Sequence, residues 1–105
     1  MHALVGGGDQ VYSDKVWACP ALQEWSKLEG REEKIDAEWT EEMQTQATTF
    51  YCKNYLNTFS AGDIWEAMAT IPQLMMWDDH DIWDGYGSYD EDMQNCHIFK
   101  VSAWP

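Results

Sequence analysis

Positive charge is what this sequence has least of. Six lysines and arginines stand against 19 aspartates and glutamates, a formal net charge of −13 at pH 7. Such a field repels a polyanionic backbone and offers no basic stripe to recruit one, so nucleic acid is not expected as a structural partner. Cysteine is sparse as well. Cys19, Cys52 and Cys96 are widely spaced and form no CxxC pair, which argues against a disulfide scaffold and for a reducing compartment. No apolar run approaches the roughly 20 residues needed to cross a bilayer. The opening MHALVGGG lacks a basic n-region, and its apolar run is only Ala3 to Val5, so no signal peptide is expected and the default location is cytoplasmic. There is no GxSxG and no GxxxxGK(S/T), which excludes the serine-hydrolase elbow and the P-loop.

What is abundant is material for a core. Apolar residues make up 45% of the chain and aromatics 14%, with seven tryptophans, a globular rather than disordered composition. At 105 residues the length suits one small domain or part of one.

The order of elements reads strand, helices, strand. His2 to Val5 is β-compatible and is closed by three glycines before Asp9, as a buried strand followed by a tight turn would be. A strand at the very start is an unusual opening for a domain, so further sequence on the N-terminal side is expected. Pro20 to Leu28 fits a short helix with Ala21, Leu22 and Trp25 inward and Gly30 as its stop. REEKID at Arg31 to Asp36 reads as a solvated connection. Thr40 to about Tyr55 is the strongest helix, with Thr40 as cap, Glu41 and Glu42 at the positive end of the dipole, and Met43, Ala47, Phe50 and Tyr51 on one face. Ala61 to Thr70 fits a second, with Ser60 and Asp63 as a capping box, Ile64, Trp65 and Met68 on one face, and Pro72 beyond its end. Gln73 to Trp77 has the length of a buried strand. The tail from Asp90 has no convincing period and receives no assignment. Two short strands joined by a long helical connection indicate a parallel crossover, hence an α/β fold.

That topology has a chemical consequence. The loops after parallel neighbouring strands leave the sheet at the same edge, where open α/β sheets bind ligands. Asp9 from GGGDQVY and Asp78, Asp79, His80 and Asp81 from MWDDHDIWDGYGSY would then face one pocket. Carboxylates gathered with an imidazole suit hard divalent cations, and a pair of such ions can clamp a phosphate ester. Each piece has a plain alternative: GGGD as a turn, DDHD as a solvated loop, Trp77 and Trp83 as core. A calcium loop of the EF-hand kind does not fit, because His80 and Ile82 fall where its first and third oxygen donors are required.

GGGDQVY and MMWDDHDIWDGYGSY, with TEEM, FYCKNY, FSAGD and IPQLMMW between them, resemble the PhoD-like alkaline phosphatases of the calcineurin-like metallophosphoesterases, in particular the fungal-type members. The resemblance covers about Ala3 to Asn95. It implies a partial metallophosphoesterase-type α/β fold over residues 1–105, a phosphate ester substrate, and a divalent metal (Ca, Mn or Zn) with Fe(III) as a possible second ion. Residue by residue, it implies Asp9 as a bridging metal ligand, Tyr12 as a ligand to a ferric ion, and Asp79 as a ligand where many members have Asn. It also implies His80 as the catalytic group that steadies the transition state or protonates the leaving group, and Asp81 as the acidic residue orienting it. Asp84 competes as a ligand. The family's further ligands, from an Asp motif upstream and His motifs downstream, have no counterpart here, and His97 matches none of them. The expectation is an incomplete catalytic domain, with a non-catalytic acidic fragment that binds a cation or a partner as the alternative.

Overall fold

The computed structural model describes residues 2–103. β1 (Leu4–Gly6) and β2 (Gln73–Met75) form a two-stranded parallel sheet in the register Leu4↔Gln73, Val5↔Leu74, Gly6↔Met75. Between them run a 3-10 segment at Asp14–Ala18 and helices α1 (Pro20–Ser26), α2 (Arg31–Asp36), α3 (Glu41–Phe59) and α4 (Ile64–Thr70). A 3-10 turn at Asp79–Asp81 follows β2, and α5 (Glu91–Gln94) and α6 (His97–Ser102) close the described residues. The fold is therefore α/β, with a helical crossover between parallel strands, as the order of elements implies.

Local chemistry accounts for most boundaries. Pro20 opens α1 at the position where a missing N–H costs nothing, and Leu22 and Trp25, three residues apart, go into the core. Gly30 does not simply stop that helix; it sits at the N-cap of α2. REEKID is thus helical, contrary to the reading as a connection, although none of its residues is buried. Glu32 and Glu33 in its first turn and Lys34 in its last complement the dipole, and the Trp25 indole N–H donates to the Lys34 carbonyl at 3.0 Å. Thr40 Oγ1 accepts from the Met43 N–H at 3.2 Å and caps α3. Met43 and Ala47, one turn apart, are its buried contacts.

Three expectations need correction. α4 begins at Ile64, Asp63 makes no side-chain capping bond, and Ile64 and Trp65 are exposed rather than packed. The strands are not buried: Val5 is 73% and Leu74 67% exposed. The tail, in contrast, supplies core. Ile98, Phe99 and Ser102 of α6 are buried, and helices under two turns long owe their order to packing, which leaves no period to read.

Trp83 organises that core. It is 1% exposed, meets Trp17 and Tyr86 edge-on and tilts onto Phe99, each with ring centroids 4.9 Å apart. Quadrupoles favour such edge-to-face geometry. Because Trp83 lies two residues beyond Asp81, the aromatic core anchors the acidic loop directly.

Candidate metal centre

The loop after β1 turns through two residues of positive φ, Gly8 at 114° and Asp9 at 54°. At Gly8 a side chain would force a shift: a Cβ there would lie 2.5 Å from the Cβ of Asp78. Asp9 adopts the left-handed region that aspartate tolerates better than most residues, and its N–H is held by Asp81 Oδ2 at 2.8 Å. The glycine-rich turn thus presses the first loop against the second.

Asp81 is the clasp between them. Its carboxylate, in a residue only 6% exposed, also accepts the N–H of Val11 at 2.9 Å and of Asp78 at 2.8 Å. It does not orient His80, as the resemblance implies, because its oxygens are committed to backbone. Asp14 does so instead: both its oxygens lie 3.0 Å from His80 Nδ1. Asp14 belongs to neither recognised motif, and its only sequence signal is an acid five residues past Asp9. α3 braces the arrangement from behind, with Asn54 Nδ2 donating to the Tyr12 carbonyl and the Tyr51 hydroxyl to the Ile82 carbonyl. Burial holds the Tyr51 phenol well above its usual range, so it remains a donor.

Two groups of ligand atoms result. Asp9, Asp78 and Asp79 each offer an oxygen within 4.8 Å of the others, and so do Asp79, His80 and Asp84 with their own donor atoms. Asp79 belongs to both. Its Oδ1 accepts the His80 N–H at 3.0 Å and its Oδ2 the Gly85 N–H at 2.7 Å, and the Gly85 bond leads in holding its carboxyl below the ordinary value. Burial would raise the Asp14 carboxyl, but the His80 hydrogen bond and the Asp84 N–H, 2.7 Å away, outweigh it and leave it lowered. The Asp14 bond in turn raises His80. Asp84 Oδ1 stands 3.7 Å from His80 Nε2. Tyr12 leans its exposed ring on the imidazole with centroids 4.9 Å apart.

One atom tests whether a cation fits. Asp9 Oδ1 is buried and has no hydrogen-bond partner, and an uncompensated buried carboxylate oxygen is costly. Asp9 also offers a carboxylate oxygen at ligand spacing from those of Asp78 and Asp79, an oxygen-rich donor set that hard divalent ions prefer. These residues fit such an ion.

The comparisons with known proteins agree with the geometry. A family model described as PhoD related phosphatase matches residues 1–103. An uncharacterized protein of Saccharomyces cerevisiae, YGR266W, is 35% identical over 93% of this chain, a stretch that makes up 16% of the yeast protein. The chain therefore spans a small part of that relative. No solved structure matches. With two loops brought into register around a carboxylate cluster, and a family match running from the first residue to the last described one, the chain belongs to the PhoD-related phosphatases.

Proposed function

We propose that this chain contributes one side of a metal-dependent phosphoester hydrolase site, in which Asp9, Asp78 and Asp79 hold a divalent cation. The observation that supports it most is that Asp9, whose Oδ1 is buried without a hydrogen-bond partner, offers a carboxylate oxygen at ligand spacing from those of Asp78 and Asp79. A cation bound there supplies Lewis acidity toward a phosphoryl oxygen. Asp14 fixes the His80 ring through Nδ1 and favours its protonated form, so His80 Nε2 carries the proton delivered to the departing alkoxide. Asp81 holds the two loops at a constant separation while this happens. Tyr12, whose exposed ring packs against His80, would be the ligand if a ferric ion were held as a second metal.

Mn²⁺ titration by calorimetry, run beside a p-nitrophenyl phosphate assay, tests this reading. Asp9→Asn removes a charged donor and should weaken Mn²⁺ binding about 100-fold, by analogy with the 10- to 100-fold effect of outer-shell changes alone. Unchanged affinity would remove the proposal. Both ligand groups come from two loops of a chain spanning 16% of its relative. That favours a second reading, cation binding without turnover, which tight Mn²⁺ binding with no released nitrophenolate would establish.

A further inference from the structure

His80 helps to line a hollow of about 460 Å³, a size usual for small-molecule sites, which run from about 300 to 1,000 Å³. The rest of its wall is Asp14, Trp17, Trp83, Asp84 and Tyr89, part aromatic and part acidic. Trp17 meets Trp83 edge-on, with ring centroids 4.9 Å apart. Tyr89 is 40% exposed, and its hydroxyl donates to the Asp84 carbonyl at 3.1 Å. The indole N–H of Trp83 is buried and has no partner in hydrogen-bond geometry, so this wall contains a donor that the described residues leave unused.

The charge of this hollow is wrong for a phosphate and right for a cation. Asp14 and Asp84 outnumber the one imidazole, and the chain's net charge of −13 adds to their field. The Asp84 side chain is 81% exposed, and its Oδ1 lies 3.7 Å from His80 Nε2, beyond hydrogen-bond range. Asp14, in contrast, is already engaged with His80 Nδ1 and the Asp84 N–H, which leaves few acceptors for an ammonium that needs several. A quaternary ammonium needs none, and aromatic walls recognise it through the ring quadrupole. The neighbouring aromatic ring already holds a cation: Trp25, stacked on Trp17 with centroids 5.2 Å apart, carries the Lys34 ammonium 5.5 Å from its own centroid.

We infer that this hollow receives the alcohol portion of a phosphate ester that bears a quaternary ammonium group, an ester of the choline type. The inference rests on the proposed function for the place of the phosphoryl group, at the cation held by Asp9, Asp78 and Asp79. Asp79 offers an oxygen at ligand spacing both to that group and to His80 and Asp84, so the hollow begins where the metal group ends. Trp17 and Tyr89 take the ammonium, Asp84 balances its charge, and the Trp83 N–H donates to an oxygen of the ester.

Choline and its uncharged tert-butyl isostere, titrated by NMR against the metal-free chain, test the hollow without the metal. Choline should bind about tenfold more tightly than the isostere and shift the indole N–H resonances of Trp17 and Trp83. Tyr89→Leu should weaken choline about fivefold, whereas Tyr89→Phe, which keeps the ring and gives up only the bond to the Asp84 carbonyl, should not. Asp84→Asn should remove most of the preference for choline. With Mn²⁺ added, phosphocholine should outbind the phosphate of the isostere by the same factor. The inference is overturned if the charged and uncharged ligands bind alike, if those resonances do not move, or if Tyr89→Leu binds choline as the parent does. A chain that selects choline yet fails to bind Mn²⁺ would uphold the hollow and refute the metal site, so the two readings fail separately.

Discussion

Replacing Asp81 by alanine is the sharpest perturbation available, because one carboxylate ties together the two loops that carry the acidic cluster. It accepts the N–H groups of Asp9, Val11 and Asp78 at 2.8, 2.9 and 2.8 Å. Each hydrogen bond to a charged acceptor contributes about 1.5–3 kcal/mol. The three share one side chain and are not additive, and water can reach the amides on the less buried side, so the expected loss is about 3–5 kcal/mol. A domain of this length has only about 5–15 kcal/mol in total, so Asp81→Ala should be folded but fragile. Asp81→Asn separates charge from shape. Its amide oxygen can keep the two donors that converge on Oδ2, while its NH₂ meets the Val11 N–H donor to donor, at a cost of about 2 kcal/mol. Urea unfolding followed by tryptophan fluorescence gives both values, provided the m-value is unchanged. Hydrogen exchange should accelerate first at Asp9, Val11 and Asp78. If Asp81→Ala falls within about 0.5 kcal/mol of the parent, a value typical of surface changes, Asp81 does not join the loops.

His80 and Asp14 make a pH-dependent pair whose sign follows from their shifts. His80 is raised from 6.5 and Asp14 lowered from 3.8, so their mutual stabilisation is fully present between about those values. It is lost as pH rises through the raised histidine pKa and as pH falls through the lowered aspartate pKa. NMR titration of the metal-free chain should show this, with Asp14→Asn lowering the His80 pKa toward its ordinary value; an unshifted His80 in the parent would contradict the bond. Gly8→Ala forces a side chain into positive φ and against Asp78, so it should cost about 1–3 kcal/mol and weaken Mn²⁺ binding in the same calorimetric experiment, whereas parent-like values for both would show that the loops need not touch. Phe99→Ala empties the aromatic core around Trp83 and should lower stability by about 3–5 kcal/mol, read as a shifted urea midpoint; a midpoint within error of the parent would place α6 outside the cooperative unit.

Helix α3 and the strand pairing were legible because their signals are local or topological: a threonine cap, spaced apolar residues, and a long connection that only parallel strands require. α2 was masked by its charge, which says where a segment sits and not how its backbone runs. α5 and α6 were masked by their brevity. The apolar stretch of α4 misled for another reason: its residues are apolar without being buried among the described residues.

At the cluster the division is sharper. The chain order alone determined that a glycine-introduced aspartate and a distant DDHD segment would meet, since parallel strands send their following loops to one edge. Which carboxylate does what was decided only in three dimensions. Asp81 points inward to three backbone amides, and Asp14, outside both motifs, holds the imidazole. Neighbouring aspartates are chemically identical in a sequence. They acquire different tasks only when the surrounding donors, burial and opposing charges differ, and those are set by residues some seventy positions away.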